Sequence, residues 1–311
     1  MNGVFNSSVD GAFIFVISIS IAILIGVTVA MIYFVIRYHH TRHTDAKDIH
    51  GNVALEVTWT VIPTLLVLGM FWFGFKGYEK MRAIPDDAMQ VETVGRMWSW
   101  QFTYENGIMT DTLYVPVGRP VALNLTSQDV IHSFYIPGMR VKKDVVPGVG
   151  NRMWFQAESS KEFDVFCAEY CGDQHAYMYT KVVALQPADF DAWYAEEGKN
   201  WEPAAKDEGK GERKPGSRGP MLARIKGCVA CHSSDGSRLI GPSFKGVFGH
   251  EVTVIRDGEE MTITADEEYI RRSILQPDYE KVKGYENLVM TQIELTDEEL
   301  DELVAYIKGL Q

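Results

Sequence analysis

Two long uncharged stretches near the start of the chain constrain its fold more than any other feature. Residues 12–36 contain no charged side chain, and residues 57–75 form a second uncharged run. At about 1.5 Å per residue the first run makes a helix of about 37 Å, which crosses a hydrocarbon core of about 30 Å with some tilt. The length of this run and the lack of a basic leader argue against a signal peptide. The sequence therefore predicts two transmembrane helices that form a hairpin within residues 1–75.

The charges that flank the two runs predict the orientation of this hairpin. Three basic residues and four histidines lie in the loop 37–52, whereas residues 1–11 contain no Lys or Arg. The positive-inside rule places such a loop in the cytoplasm, so both ends of the chain are expected in the outer, oxidising compartment. A hydrated interfacial loop explains the histidines better than a metal-binding tract does. Glu56, at the cytoplasmic start of the second run, is a candidate functional group, although a carboxylate at a helix end can also simply reach water.

The distribution of charge divides the rest of the chain. The net charge is −6 over residues 76–197 and −7 over residues 219–311, out of −12 for all 311 residues. Because an acidic surface repels a phosphate backbone, nucleic acid is excluded as a partner. The segment between them, 198–218, is rich in Gly, Pro and charged side chains, which predicts a flexible linker. We therefore expect two outer domains, 76–197 and 219–311.

The first outer domain has the pattern of an all-β fold. Apolar and polar residues alternate over 121–125 and 163–167, and Gly and Pro recur between such runs. Several short strands separated by turns predict an antiparallel sandwich or barrel.

Soft metal ligands are concentrated at the end of this domain. Cys167, Cys171, His175 and Met178 fall within twelve positions, and His132 lies 35 residues before the first cysteine. Thiolates, imidazoles and a thioether suit copper, whereas zinc sites rarely include methionine. A disulfide would explain the two cysteines but not the histidine and the methionine. A thioredoxin-like copper chaperone is disfavoured, because its histidine follows the cysteine pair at a distance and its fold alternates strands with helices.

This pattern resembles subunit II of the haem-copper cytochrome c oxidases, in which a histidine precedes C-x-E-x-C-x-x-x-H-x-x-M by a similar interval. The resemblance implies a binuclear copper A centre on a cupredoxin-like antiparallel β-barrel. Cys167 and Cys171 would bridge the two copper ions. The other ligands would be His132, His175, the weakly bound Met178 and the backbone carbonyl of Glu169.

The resemblance extends to other parts of the chain. The segment that starts at Glu56 is similar to the beginning of the family's second membrane helix, where the glutamate marks the mouth of a proton channel in subunit I. Trp98-Ser99-Trp100 is similar to the aromatic patch through which electrons enter. The resemblance implies that Trp98 lies at the docking face, while we expect Trp100 in the core. It also implies that the Glu169 side chain binds a magnesium ion shared with subunit I.

The C-terminal unit opens with a haem-attachment motif. Cys228-Val-Ala-Cys231-His232 predicts two thioether bonds to a c-type haem and an imidazole on the iron. A thioredoxin-like redox pair is the alternative, but it leaves the histidine unexplained. Gly241-Pro242 follows the histidine as in small cytochromes c, where the proline carbonyl orients the imidazole.

Two helices are predicted later in this unit. Capping boxes over 264–267 and 296–299 mark their starts, and the last helix has one apolar face, formed by Leu300, Leu303, Val304 and Ile307. The unit is similar to an all-α class I cytochrome c, whose terminal helix crosses the first. That likeness implies Met290 as the sixth iron ligand, with Met261 and His250 as alternatives.

The whole pattern resembles subunit II of a caa-type oxidase with a fused cytochrome c domain. The resemblance implies that electrons pass from an external donor, such as a soluble cytochrome c or an iron–sulfur protein, through haem c and copper A to haem a in subunit I. Oxygen would be reduced there to water, coupled to proton translocation. A copper A-containing nitric oxide reductase subunit and a membrane-anchored electron carrier are the alternatives, although Glu56 favours the oxidase over the carrier.

This interpretation also predicts the surroundings of the chain. Subunit I, other oxidase subunits and membrane lipid would be its partners in the inner membrane of a bacterial cell, with both termini and the redox domains on the periplasmic side. Since both outer domains are acidic, we expect their mutual contact to be small, largely uncharged and close to Trp98.

Overall fold

The computed structural model describes residues 3–45, 50–201 and 215–311. The α-helices of this part are α1 (Asn6–Arg37), α2 (Val53–Arg82), α3 (Pro187–Trp201), α4 (Gly219–Ile225), α5 (Glu267–Leu275) and α6 (Asp297–Gly309). The strands of the first outer domain are β1 (Met89–Arg96), β2 (Ser99–Tyr104), β3 (Met109–Thr110), β4 (Leu113–Pro116), β5 (Val121–Ser127), β6 (His132–Ile136), β7 (Val141–Val145), β8 (Asn151–Phe155), β9 (Glu162–Cys167) and β10 (Tyr179–Leu185). Those of the C-terminal unit are β11 (Glu251–Arg256), β12 (Glu259–Thr264) and β13 (Lys281–Val282).

The two long helices α1 and α2 form the predicted membrane hairpin. Both are long and apolar enough to cross a membrane, and their side chains are largely exposed in the isolated chain. Lipid can accept such apolar surfaces because the helical backbone satisfies its own hydrogen bonds. The cap of α2 is Asn52, whose Oδ1 accepts a hydrogen bond from Leu55 N at 3.2 Å. The prediction of two transmembrane helices is confirmed.

The segment before α1 is tied to the β-domain rather than free. Phe5 is 1% exposed and packs edge-on against Trp154, with 4.7 Å between the ring centroids. Val4 N also donates a hydrogen bond to Gln156 O at 3.2 Å. The start of α1 and the β-domain therefore lie on the same side of the hairpin, as the charge pattern predicted.

The first outer domain is a sandwich of two five-stranded sheets. Their strand orders are β3-β2-β1-β5-β8 and β4-β10-β9-β6-β7. Most neighbours are antiparallel, but β1 pairs in parallel with β5, and β4 with β10, because the chain crosses between the sheets before it returns. Large apolar side chains from both sheets fill the space between them, among them Trp100, Phe102, Phe134 and Phe155. The cupredoxin-like fold is confirmed, with two parallel pairs added to the expected antiparallel pattern.

The C-terminal unit differs from the all-α expectation by a three-stranded sheet in the order β12-β11-β13. The hairpin β11–β12 turns at Asp257-Gly258, and both residues have positive φ, 50° and 83°. Asp-Gly is a preferred dipeptide for such two-residue turns. Because β12 runs to Thr264, the predicted capping box over 264–267 does not form. Asp266 caps α5 instead and accepts a hydrogen bond from Tyr269 N at 2.8 Å.

The last helix packs across the first helix of this unit, as predicted. Leu303 of α6 lies in a buried cluster with Leu222 and Ala223 of α4. The apolar face of α6 is buried, and the capping box at Thr296 and Glu299 is formed. These two predictions are confirmed.

The segment that joins the two outer domains is described in part. Helix α3 runs on to Trp201, into the segment 198–218 that was predicted as a linker. Most of the predicted linker, 202–214, lies outside the described residues.

Candidate redox sites

The strands of one sheet bring the predicted copper ligands together. His132 opens β6 and Cys167 closes β9, and these strands are paired, with Phe134 opposite Cys167. Cys171, His175 and Met178 follow in the loop that leads into β10. A loop that leaves one strand and enters its neighbour can therefore fold back over the start of β6.

The donor atoms of all six predicted ligands lie together, with the two cysteine sulfurs at the centre and the other four around them. The Sγ atoms lie 3.7 Å apart, and both cysteines are free. Each sulfur has its own imidazole, since His132 Nδ1 is 3.8 Å from Cys167 Sγ and His175 Nδ1 is 3.5 Å from Cys171 Sγ. Met178 Sδ lies 3.7 Å from Cys171 Sγ, and the carbonyl oxygen of Glu169 lies 3.2 Å from Cys167 Sγ. This arrangement has a symmetric centre of two thiols and one imidazole at each end.

The site is closed to solvent on one side. His132 is fully buried, and Cys167, Cys171 and Met178 are also buried, whereas His175 is half-buried. The hydrogen bond that joins the two sulfurs lowers the pKa of Cys167 and raises that of Cys171. The pair therefore loses its first proton readily, as a thiolate metal site requires. Two thiols, two imidazoles and a thioether fit a copper centre by their chemistry.

A buried carboxylate supports the site from behind. Asp129 Oδ1 is 2.7 Å from His132 Nε2, and Asp129 Oδ2 accepts a hydrogen bond from Met97 N at 2.7 Å. Although burial opposes ionisation, the hydrogen bonds from His132, Met97 and Val130 hold the pKa of Asp129 below its usual value. Such a partner fixes the imidazole tautomer and leaves Nδ1 free for a metal.

The two tryptophans of the aromatic patch have different environments. Trp100 is 2% exposed and lies in the core, as expected. Trp98 is half-buried, and its Nε1 donates a hydrogen bond to Cys171 O at 3.0 Å. Trp98 is therefore in direct contact with the backbone of a predicted copper ligand.

The predicted haem residues line one cavity of the C-terminal unit. Cys228, Cys231, His232 and Met290 all face it. His232 Nδ1 lies 2.7 Å from Pro242 O, the carbonyl that was expected to orient the imidazole. A Cβ on Gly241 would come within 2.6 Å of the His232 ring, so only glycine fits at that position.

The two alternatives to Met290 lie elsewhere. Met261 packs against the separate hydrophobic cluster around Val254. His250 is exposed, and its Nδ1 contacts Phe248 O at 3.2 Å. The donor set of the cavity, with two thiols, an imidazole and one thioether, fits a covalently bound haem.

The remaining predicted residues lie apart from both sites. Glu56 is in the first turn of α2 and is exposed. The side chain of Glu169 is also exposed, although its carbonyl faces the cysteines.

Sequence reasoning missed two polar residues that touch these sites. Asp129 supports His132, and its only sequence signal was an acidic residue three positions before the histidine. Arg96 is 3% exposed and lines the haem cavity from the other domain. Nothing in the local sequence of Arg96 pointed to this position.

Comparisons with known proteins agree with the three parts of the chain. The family described as "Cytochrome C oxidase subunit II, transmembrane domain" matches residues 7–76, and "Cytochrome C oxidase subunit II, periplasmic domain" matches residues 107–185. The cytochrome c family matches residues 216–311.

Individual relatives span most of the chain. Cytochrome c oxidase subunit 2 of Alkalihalophilus pseudofirmus is 33% identical and covers 95% of this chain and 86% of its own length. The Bacillus subtilis subunit is 30% identical over 91% of this chain and 83% of its own. The Synechocystis subunit is 31% identical over 60% of this chain and 71% of its own. With its membrane hairpin, its cupredoxin-like domain and its fused cytochrome c domain, the chain belongs to the cytochrome c oxidase subunit II family.

Proposed function

We propose that electrons enter a terminal oxidase through this chain, passing from an external donor to haem c, then to copper A, and then to subunit I. The observation that carries the proposal is the convergence of two imidazoles, a thioether and a backbone carbonyl on the thiols of Cys167 and Cys171, beside a separate cavity lined by the two cysteines and the histidine of a haem-attachment motif. The relatives described above are oxidase subunits, so the nitric oxide reductase and the free electron carrier are not favoured.

The candidate copper ligands are held in fixed positions, so that oxidation and reduction of the site would move the ligand atoms little. When two copper ions are bound, they supply reversible one-electron chemistry. The groups that would hold them are the thiolates of Cys167 and Cys171, the imidazoles of His132 and His175, the thioether of Met178 and the carbonyl of Glu169. Strand pairing fixes His132 and Cys167, and Asp129 fixes the imidazole. A site that keeps its geometry in both redox states has a small reorganisation energy for electron transfer.

The haem cavity also has the residues that a one-electron carrier requires. Cys228 and Cys231 would hold the haem through thioether bonds, and His232 and Met290 would bind its iron. Methionine as the sixth ligand raises the reduction potential relative to two histidines. The Pro242 carbonyl holds His232 through Nδ1, which leaves Nε2 for the iron.

Partners and orientation follow from the family and remain part of the proposal. The redox domains would face the periplasm, and subunit I would receive the electron from the copper domain. Glu56 would lie at the mouth of a proton channel in subunit I, consistent with its exposed position in the first turn of α2. The exposed carboxylate of Glu169 is a candidate magnesium ligand, but the other ligands would have to come from subunit I.

Two reciprocal variants in the purified complex test the proposal. Cys171→Ser should abolish the mixed-valence EPR signal of the copper pair and leave the haem c absorption intact. His232→Ala should abolish the haem c absorption and leave the mixed-valence EPR signal of the copper pair intact. Reduced-minus-oxidised spectra should show haem a beside haem c in the wild type. A two-copper EPR spectrum that survives Cys171→Ser, or a complex without haem a, would contradict the proposal.

A further inference from the structure

The centre of the contact between the cytochrome domain and the copper domain is formed by one short segment of each. The end of α4 and the residues after it, 224–228, meet residues 96–99, the tight turn between β1 and β2. We call residues 96–99 the docking turn. This turn carries Trp98, and the segment opposite it ends at Cys228, the first haem-attachment residue. The contact therefore places a segment that ends at a haem-attachment residue against the turn that carries Trp98.

The fit depends on two small residues that face each other. A Cβ on Gly227 would overlap Ser99 Oγ and would lie 3.1 Å from Ser99 Cβ. Gly227 also has a φ of +80°, which disfavours any side chain. The side chain of Ser99 thus rests directly against the backbone of the cytochrome domain, and a larger side chain at either position would push the domains apart.

A buried guanidinium lies beside this contact. Arg96 Nη1 donates a long hydrogen bond to Ile225 O at 3.5 Å, and Nη2 donates one to Gln101 Oε1 at 2.8 Å. Ile225 is the last residue of α4, where unpaired carbonyls favour a cation. Desolvation lowers the pKa of Arg96, which the nearby acidic groups Asp129 and Glu299 partly offset. The cytochrome domain therefore covers a charge that the copper domain would otherwise expose.

Two further pairs lie at the edge of the contact. Arg224 Nε is 2.8 Å from Asp111 Oδ2, and Arg224 Nη2 donates to Asp111 Oδ1 at 3.2 Å. Thr291, which follows Met290, has its Oγ1 3.5 Å from Asp129 Oδ2. The ion pair has a bidentate geometry, which specifies orientation as well as proximity.

We propose that the docking turn is the binding site for the chain's own cytochrome domain. Ser99, Arg96 and the Asp111–Arg224 pair would position haem c against Trp98. Arg96, Met97 and Trp98 form part of the wall of the haem cavity, while Trp98 Nε1 bonds to Cys171 O on its other side. Ser99, Arg96 and the Asp111–Arg224 pair act by positioning and do not carry the electron themselves. The inference rests on the proposed function, because it concerns the transfer from haem c to copper A.

The first experiment changes the size of Ser99 in the purified, fully loaded complex. Flash-induced electron transfer from haem c to copper A is measured in Ser99→Trp and in the conservative Ser99→Ala. We expect Ser99→Trp to slow the transfer about tenfold or more, as overpacking of a fitted contact lowers the docked population. Ser99→Ala keeps the space and should stay within about twofold of the wild type. An unchanged rate in Ser99→Trp would overturn the proposal.

The second experiment reverses the ion pair. Asp111→Arg and Arg224→Asp should each slow the transfer about two- to fivefold, the range that an exposed ion pair supports. The double variant should recover most of the wild-type rate. Glu162→Arg is the matched control, because Glu162 is exposed and pairs with Lys181 inside the copper domain. Single reversals without effect, or a double variant slower than either single one, would remove this pair from the docking site.

A readout that does not depend on electron transfer separates the two proposals. Amide hydrogen exchange over residues 223–229 should be faster in Ser99→Trp than in the wild type, while optical and EPR spectra of both centres stay unchanged. If the wild-type complex shows no transfer from haem c to copper A, the proposed function fails. If the wild type transfers electrons and exchange in Ser99→Trp matches it, only the docking proposal fails.

Discussion

Asp129→Asn tests how the copper site is supported. The Asp129 carboxylate is 6% exposed and accepts three hydrogen bonds, from His132 Nε2, Val130 N and Met97 N, each at 2.7 Å. An asparagine has one acceptor oxygen, so its NH2 group must face either Met97 N–H or the His132 imidazole. At least one buried donor then loses its acceptor, at a cost of about 1–3 kcal/mol. That corresponds to a loss of copper affinity of about 5- to 150-fold, which includes the loss of about 10- to 100-fold that is typical for partners of metal-bound histidines.

The assay measures copper retention by the whole complex. Wild type and variant are dialysed against increasing concentrations of a copper chelator, and copper per haem c is determined together with the EPR signal. Asp129→Asn should lose half of its copper at a chelator activity about 10- to 100-fold lower than the wild type does. Asp87→Asn, the same change at an exposed carboxylate just before β1, is the control and should match the wild type. Equal retention in Asp129→Asn would refute the reasoning.

Three other predictions concern the cytochrome domain. Met290→Ala should lower the haem c midpoint potential, whereas Met261→Ala should leave the potential unchanged; redox titration would show the opposite if Met261 were the ligand. Leu303→Ala should destabilise the α4–α6 contact by about 2–5 kcal/mol, measured by denaturant-induced loss of the haem spectrum, and an unchanged midpoint would contradict this packing. Raising the salt concentration should slow transfer from haem c to copper A by about twofold, because the Asp111–Arg224 pair is exposed; a faster rate would contradict the ion pair.

The sequence predicted those parts of the molecule that depend on residues close together in the chain. The two uncharged runs became the membrane helices, and the apolar face of α6 became part of a core. The ligand spacing around Cys167 and Cys171 was also informative, because a loop between paired strands keeps such residues close.

The missed features have identifiable physical causes. The hairpin β11–β12 was overlooked although Asp257-Gly258 is a strong turn signal, because the haem motif favoured an all-α unit. Because Thr264 is the last residue of β12, it cannot cap α5, and the capping box predicted over 264–267 does not form. Arg96 and Ile225 are 129 positions apart, and Thr291 and Asp129 are 162 apart. Such contacts depend on how the two domains meet, which no periodicity within either domain reveals.

The contact between the domains shows why net charge was an incomplete guide. Net charges of −6 and −7 predicted a largely uncharged contact near Trp98. The contact does lie at the docking turn, but it includes a buried arginine and an ion pair with 2.8 Å between Arg224 Nε and Asp111 Oδ2. At physiological salt, charges more than about 8 Å apart are largely screened, so the many distant carboxylates act weakly on the docked state. Each domain contributes one arginine to the contact, and both arginines have acceptors on the opposite domain. The electrostatic part of docking therefore depends on the positions of a few charges, and a sum over residues carries no information about position.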